Sequence, residues 1–66
     1  MNRKIKSMMV EKGVKQVDIA RALGITRGTV SGAISGYHRS DPVMNKLAEL
    51  LKTDIDKLDR LWSKAA

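Results

Sequence analysis

Cysteine is absent from this 66-residue chain, histidine occurs once, and no apolar run extends beyond a few positions. The first absence excludes a disulfide framework. The second, together with the lack of any regularly spaced acid and histidine cluster, excludes a zinc site as a source of stability. No metal and no cofactor is therefore expected. The apolar runs fall far below the roughly 20 residues of a membrane span, and the N-terminal MNRKIKSMMVEKG has basic residues without the sustained apolar stretch of an export signal. A soluble, cytoplasmic protein with no membrane partner is the expectation. No segment alternates with period two over a useful length, and there is no repeat, linker or low-complexity tract. The chain thus reads as one small domain over residues 1–66. A chain this short buries only about 60% of the surface its unfolded form exposes, so its core is thin and packing, helped by a second copy if one binds, must hold it.

Catalysis is also short of parts. Asp54, Asp56 and Asp59 are spaced for capping and solvation, and they show neither the glycine turn nor the twelfth-position glutamate of a calcium loop. No catalytic residue and no small-molecule ligand is expected.

What the chain does have is a formal charge of +6, unevenly placed. Residues 1–40 hold eight Lys/Arg against two Asp/Glu, whereas 41–66 hold five of each. A one-sided basic surface is the footprint of a phosphate-backbone binder, because each neutralised phosphate releases condensed counterions. Charge alone fits a merely soluble basic surface equally well.

The periodicity is helical throughout. Ile5, Met8 and Met9 fall at i, i+3, i+4, predicting a first helix over Arg3 to Lys12 that Gly13 ends in a left-handed cap. A second runs from about Gln16 to Leu23, with Ile19, Ala20 and Leu23 inward and Asp18 near the positive end of its dipole. Lys15 is its weak point, since it cannot cap as Ser or Thr would. Gly24 offers the positive φ of a sharp turn, Ile25 plugs the angle, and Thr26 caps a third helix that Gly36 stops. Asp41-Pro42 supplies a cap and a first-turn proline for a fourth helix, with Val43, Leu47, Leu50 and Leu51 on one face. Thr53-Asp54-Ile55-Asp56 reads as the start of a fifth, with Asp56 in the capping-box position and Ile55, Leu58, Leu61, Trp62 and Ala65 on one face. The fold class expected is all-α, with five short helices.

At about 100 degrees per residue, the third helix gathers Val30, Ala33 and Ile34 on one side and Gly28, Gly32 and Ser35 on the other, with Ser31 nearby. The first side docks and the second is exposed. Helices 2 and 3, hinged at Leu23-Gly24-Ile25 within residues 16–35, read as a helix-turn-helix whose exposed side lies in the major groove. Arg27, in the first turn, has the planar fork that guanine O6 and N7 accept well.

Gln16, Ala20, Gly24, Ile25, Val30 and Ala33-Ile34 have the spacing of the helix-turn-helix in phage Cro and lambda-type repressors, and the chain resembles that family over roughly residues 3–52. The resemblance implies a lambda-repressor-like domain in which Gln16 bonds a DNA phosphate and Ala20 lets the two helices cross closely. It implies base reading from Arg27, Gly28 and Gly32, and backbone contact from the segment after the recognition helix, here Tyr37, His38 and Arg39. Two of those three reader positions are glycine, so base reading must be sparse. Either the bare face lets the backbone approach DNA closely, or this face does not read DNA. Donors kept around it by Thr26, Arg27, Thr29 and Ser31 favour the first. Two interior glycines cost about 1 kcal/mol each against alanine, so the free helix is expected to be soft and to firm up on DNA.

The groove-facing candidates are thus Thr26, Arg27, Gly28, Thr29, Ser31 and Gly32, and the phosphate candidates Gln16, Lys15, Tyr37 and Arg39. Tyr37 could instead pack on the fourth helix, and His38 reads more naturally as an exposed loop residue. Arg3, Lys4 and Lys6 add to the field or are simply solvated. If about five phosphates are neutralised, log K falls with log salt at a slope near −4 to −5. Leu58, Leu61 and Trp62 are either contacts of a two-fold homodimer, with recognition helices about 34 Å apart on a near-palindromic site, or the completion of the monomer core. The expected function is that of a phage-type repressor occluding a double-stranded DNA operator. Its rival is a protein-binding adaptor, an antirepressor or antitoxin component on the same fold.

Overall fold

The computed structural model describes residues 2–64, and among them five helices succeed one another with no strand. They are α1 (Arg3–Lys12), α2 (Gln16–Leu23), α3 (Arg27–Ser35), α4 (Asp41–Leu51) and α5 (Ile55–Leu61). Ala65, which the pattern sets on the last helix face, lies outside the described residues. None of the described helices is long and apolar enough to cross a membrane.

Local chemistry sets the ends. Gly24 closes α2 at φ 67°, a left-handed conformation that a Cβ would disfavour, and its N–H bonds the carbonyl of Ala20. Ile25 N–H reaches the same carbonyl at 3.0 Å, which fixes the sharp angle between α2 and α3. At the start of α2 the ammonium of Lys15 cannot accept a hydrogen bond, yet the Asp18 carboxylate accepts from Lys15 N–H at 3.3 Å, so half of a capping box survives.

Two expected caps are replaced. Ser40, not Asp41, precedes α4, its hydroxyl facing Val43 N–H at 3.5 Å, because the Asp41 carboxylate is drawn to Arg39 at 3.2 Å. No capping box forms at α5. Thr53 N–H is engaged with the Ala48 carbonyl in the closing turn of α4, so Asp54 becomes the N-cap residue and its side chain makes no capping bond. That closing turn places Lys52 at φ 54°, the one non-glycine residue with positive φ among those described.

All five helices contribute to one core: Ile5 and Met9 from α1, Ile19 and Ala20 from α2, Val30, Ala33 and Ile34 from α3, Val43, Met44, Leu47 and Leu51 from α4, and Leu58 from α5. Met44 is the member that the helical pattern did not single out. α3 packs on α2 and α4, while α1 and α5 close the other side against α4 and each other. Half-buried Leu61 and Trp62 pack against the same core.

The two ends of the chain meet beneath α3. Asn2 is buried; its Nδ2 donates to the Ile34 carbonyl at 2.6 Å, and its Oδ1 accepts from Ser63 N–H at 2.8 Å. Trp62 Nε1 donates to the Ala33 carbonyl at 2.7 Å. Gly36 and Tyr37 N–H groups both turn back to the Gly32 carbonyl. Three of the last carbonyls of α3, which a helix end leaves without intrahelical partners, are thereby satisfied.

Candidate nucleic-acid interface

Val30, Ala33 and Ile34 bury one side of α3, which leaves Arg27, Gly28 and Thr29 exposed at its first turn. Thr26 caps this turn: its hydroxyl accepts from Thr29 N–H at 3.2 Å and lies 2.8 Å from the Thr29 hydroxyl. The two threonines therefore spend much of their hydrogen-bonding capacity on each other.

Alongside the first turn of α3 runs an open groove of about 730 Å³. Its walls are Lys6, Met9 and Val10 of α1, Val14 and Lys15 of the connection, Gln16 and Val17 of α2, and Arg27, Gly28 and Ser31 of α3. Three cations, Lys6, Lys15 and Arg27, face this space with no carboxylate among the lining residues. Of the residues singled out from the sequence, Lys15, Gln16, Arg27, Gly28 and Ser31 are brought together here. Arg3 and Lys4 are not: they line a separate depression with Ser7, Met8 and Glu11.

Gly28 is bare in fact as well as in sequence. A Cβ built on it would meet only the Thr26 hydroxyl oxygen, at 3.9 Å. Gly32 is different, because a Cβ there would lie 2.9 Å from Nε2 and 3.2 Å from Cδ2 of His38. The bare face expected at both glycines is thus open at the first and covered by an imidazole at the second. Tyr37 projects into solvent at 72% exposure, which removes the alternative of a ring packed on α4.

Arg39 does not hang free for a phosphate. Its Nε donates to Asp41 at 3.2 Å and its terminal nitrogen to Asp59 at 2.6 Å, while the guanidinium lies 5.8 Å from the Trp62 ring centroid. These bonds, that to Asp59 first, raise the arginine pKa above its ordinary value, so the group stays charged and paired. Its role in the free protein is to tie the segment after α3 to α5.

The candidate dimer contacts also change character. Leu58 is fully buried within the monomer and offers no side-chain surface to a second copy. Trp62 is committed to the Ala33 carbonyl, which is the core-completing alternative. Leu61 is half-buried against the same core.

Sequence reasoning missed Asn2, whose partners lie 32 and 61 positions away, and the two valines at the groove. Val10 at 82% and Val17 at 38% exposure are large apolar side chains facing water. An exposed position within an apolar-patterned helix was the available signal.

No curated protein and no solved structure matches the chain. The HTH_3 helix-turn-helix family model matches residues 5–58, which takes in the Gly24 turn, the docked face of α3 and the basic groove. The chain belongs to this Cro/C1-type helix-turn-helix family of DNA-binding transcription regulators.

Proposed function

We propose that the chain is a repressor of the phage type, which seats the first turn of α3 in the major groove of an operator and blocks transcription by occupying it. The observation that carries this reading is the acid-free groove in which Lys6, Lys15 and Arg27 flank the uncovered backbone of Gly28. Such a surface admits a polyanion closely. Arg27 takes the base-reading role with its guanidinium fork, and Ser31 adds a hydroxyl one turn on. Thr26 and Thr29 offer what their mutual bond leaves over. Gln16 and Lys15, at the start of α2, hold the phosphate backbone, and exposed Tyr37 has a free phenol for the next phosphate along. Arg39 joins only if it exchanges Asp41 and Asp59 for DNA.

Selection from random duplex pools with the purified chain tests this reading. A recurrent motif bound less tightly as salt rises is the expected result, and a palindromic motif would reveal two copies acting together. Recovery of no motif at low ionic strength would overturn it and favour the protein-binding adaptor.

A further inference from the structure

Gly32 lies one helical turn after Gly28 on the same face of α3, and it has no side chain with which to touch a base. The volume such a side chain would fill is nevertheless occupied. His38 Nε2 stands 2.9 Å and Cδ2 3.2 Å from the place of a Cβ on Gly32, the first being closer than real Cβ contacts allow. The backbone explains how the ring arrives. Gly36 adopts φ 93°, and the N–H groups of Gly36 and Tyr37 both bond the Gly32 carbonyl, at 3.1 and 2.9 Å. The chain leaving α3 is thereby folded back over the turn that contains Gly32, and the next residue, His38, lays its imidazole on the glycine. His38 remains solvent-exposed on its outer side.

We propose that His38 is a specificity-determining residue: its imidazole, seated on Gly32, supplies from the loop the base contact that the glycine cannot make. The glycine is then a seat rather than a gap. A ring nitrogen bearing a hydrogen donates to the O6/N7 acceptor edge that guanine presents in the major groove. Alanine at position 32 would not fit beneath the ring without moving it. This inference rests on the DNA-binding reading of α3.

The test compares the chain with His38→Ala, Gly32→Ala and the double variant, measuring affinity for the selected duplex and for every single-base-pair change in it. His38 is exposed and Gly32 is helical, so both variants are expected to fold. The parent should prefer guanine at one base pair by about tenfold, and His38→Ala should lose that preference while keeping the others. Gly32→Ala, by displacing the ring, should weaken the preference at the same base pair, and the double variant should lose no more than His38→Ala alone. If His38→Ala weakens all duplexes equally, the residue touches phosphate and the proposal is overturned. If it changes nothing, the ring is idle and the proposal is equally overturned. Should the parent bind no duplex at all, the DNA reading fails first and takes this one with it.

Discussion

Replacing Asn2 with alanine is the sharpest test of how the recognition helix is held. The substitution deletes the donor to the Ile34 carbonyl at 2.6 Å and the acceptor for Ser63 N–H at 2.8 Å. Ile34 is fully buried, so its carbonyl gains no water in exchange, and a buried unsatisfied acceptor costs about 1 to 3 kcal/mol. Ser63 is exposed and recovers a water, so the second bond adds about 0.5 to 1 kcal/mol. The sum, about 1.5 to 4 kcal/mol, is a large part of the roughly 3 to 10 kcal/mol that a chain of this length commands. With an unfolding entropy of about 2.1 cal/mol/K per residue, the midpoint should fall by about 10 to 30 °C. Thermal and urea unfolding, followed by helical circular dichroism and by the fluorescence of the single Trp62, measure it. An unchanged urea slope would show that stability and not compactness has moved. A midpoint within a few degrees of the parent would refute the claim that the chain ends fasten α3.

Arg27→Ala should relax preference at one base pair and cost about 1 to 3 kcal/mol there, while Gln16→Ala should weaken all duplexes alike; a full set of single-base-pair competitors separates the two. With Arg27 reading a base, Lys6 and Lys15 are the groove cations left for phosphate, so the slope of log K against log salt for one chain should be near −2, and Lys15→Ala should reduce it by about one. Arg39→Ala should leave that slope unchanged, since Asp41 and Asp59 already neutralise the group, but should lower the unfolding midpoint; a slope reduced by about one would mean that Arg39 changes partners on DNA. Lys52→Gly should raise stability by about 0.5 to 1 kcal/mol, because it relieves a left-handed backbone at a helix C-terminus, and a lowered midpoint would contradict the assigned conformation.

The helix limits were legible because their signals are local. Gly24 and Gly36 sit where only a left-handed turn lets the chain continue, and Thr26 caps from within the next four residues. Ser40 and Asp54 were misjudged for a different reason. Asp41 and Thr53 are good caps in isolation, but one is taken by Arg39 and the other by the last turn of α4, and a linear pattern does not show such competition. The groove was legible in part, as Gln16, Arg27 and Gly28 follow from the spacing of α2 and α3. Lys6 joins them and Arg3 and Lys4 do not, because the rotation of α1 per residue turns Lys6 to the groove and the other two to a separate depression. Arg39 was the least legible of the candidates. Its partner Asp59 lies 20 positions on, and only the packing of α5 brings it within reach.

These contacts alter where softness in the recognition helix must reside. Composition alone assigns it to the whole of α3, since Gly28 and Gly32 each cost about 1 kcal/mol against alanine. Yet the far half is clamped: Gly32, Ala33 and Ile34 all have partners for their carbonyls, from the following turn, Trp62 and Asn2. Val30, Ala33 and Ile34 are at most 1% exposed, so this half cannot open without breaking the core. The first turn has only the Thr26 cap and the open surroundings of Gly28. Local opening should therefore be confined to residues 27–29, and DNA should order that turn alone. Amide hydrogen exchange checks this: on adding operator, protection should rise at Gly28 and Thr29 and hold steady at Ala33 and Ile34. A rise spread evenly along α3 would mean that the clamp at its far end is weak in solution.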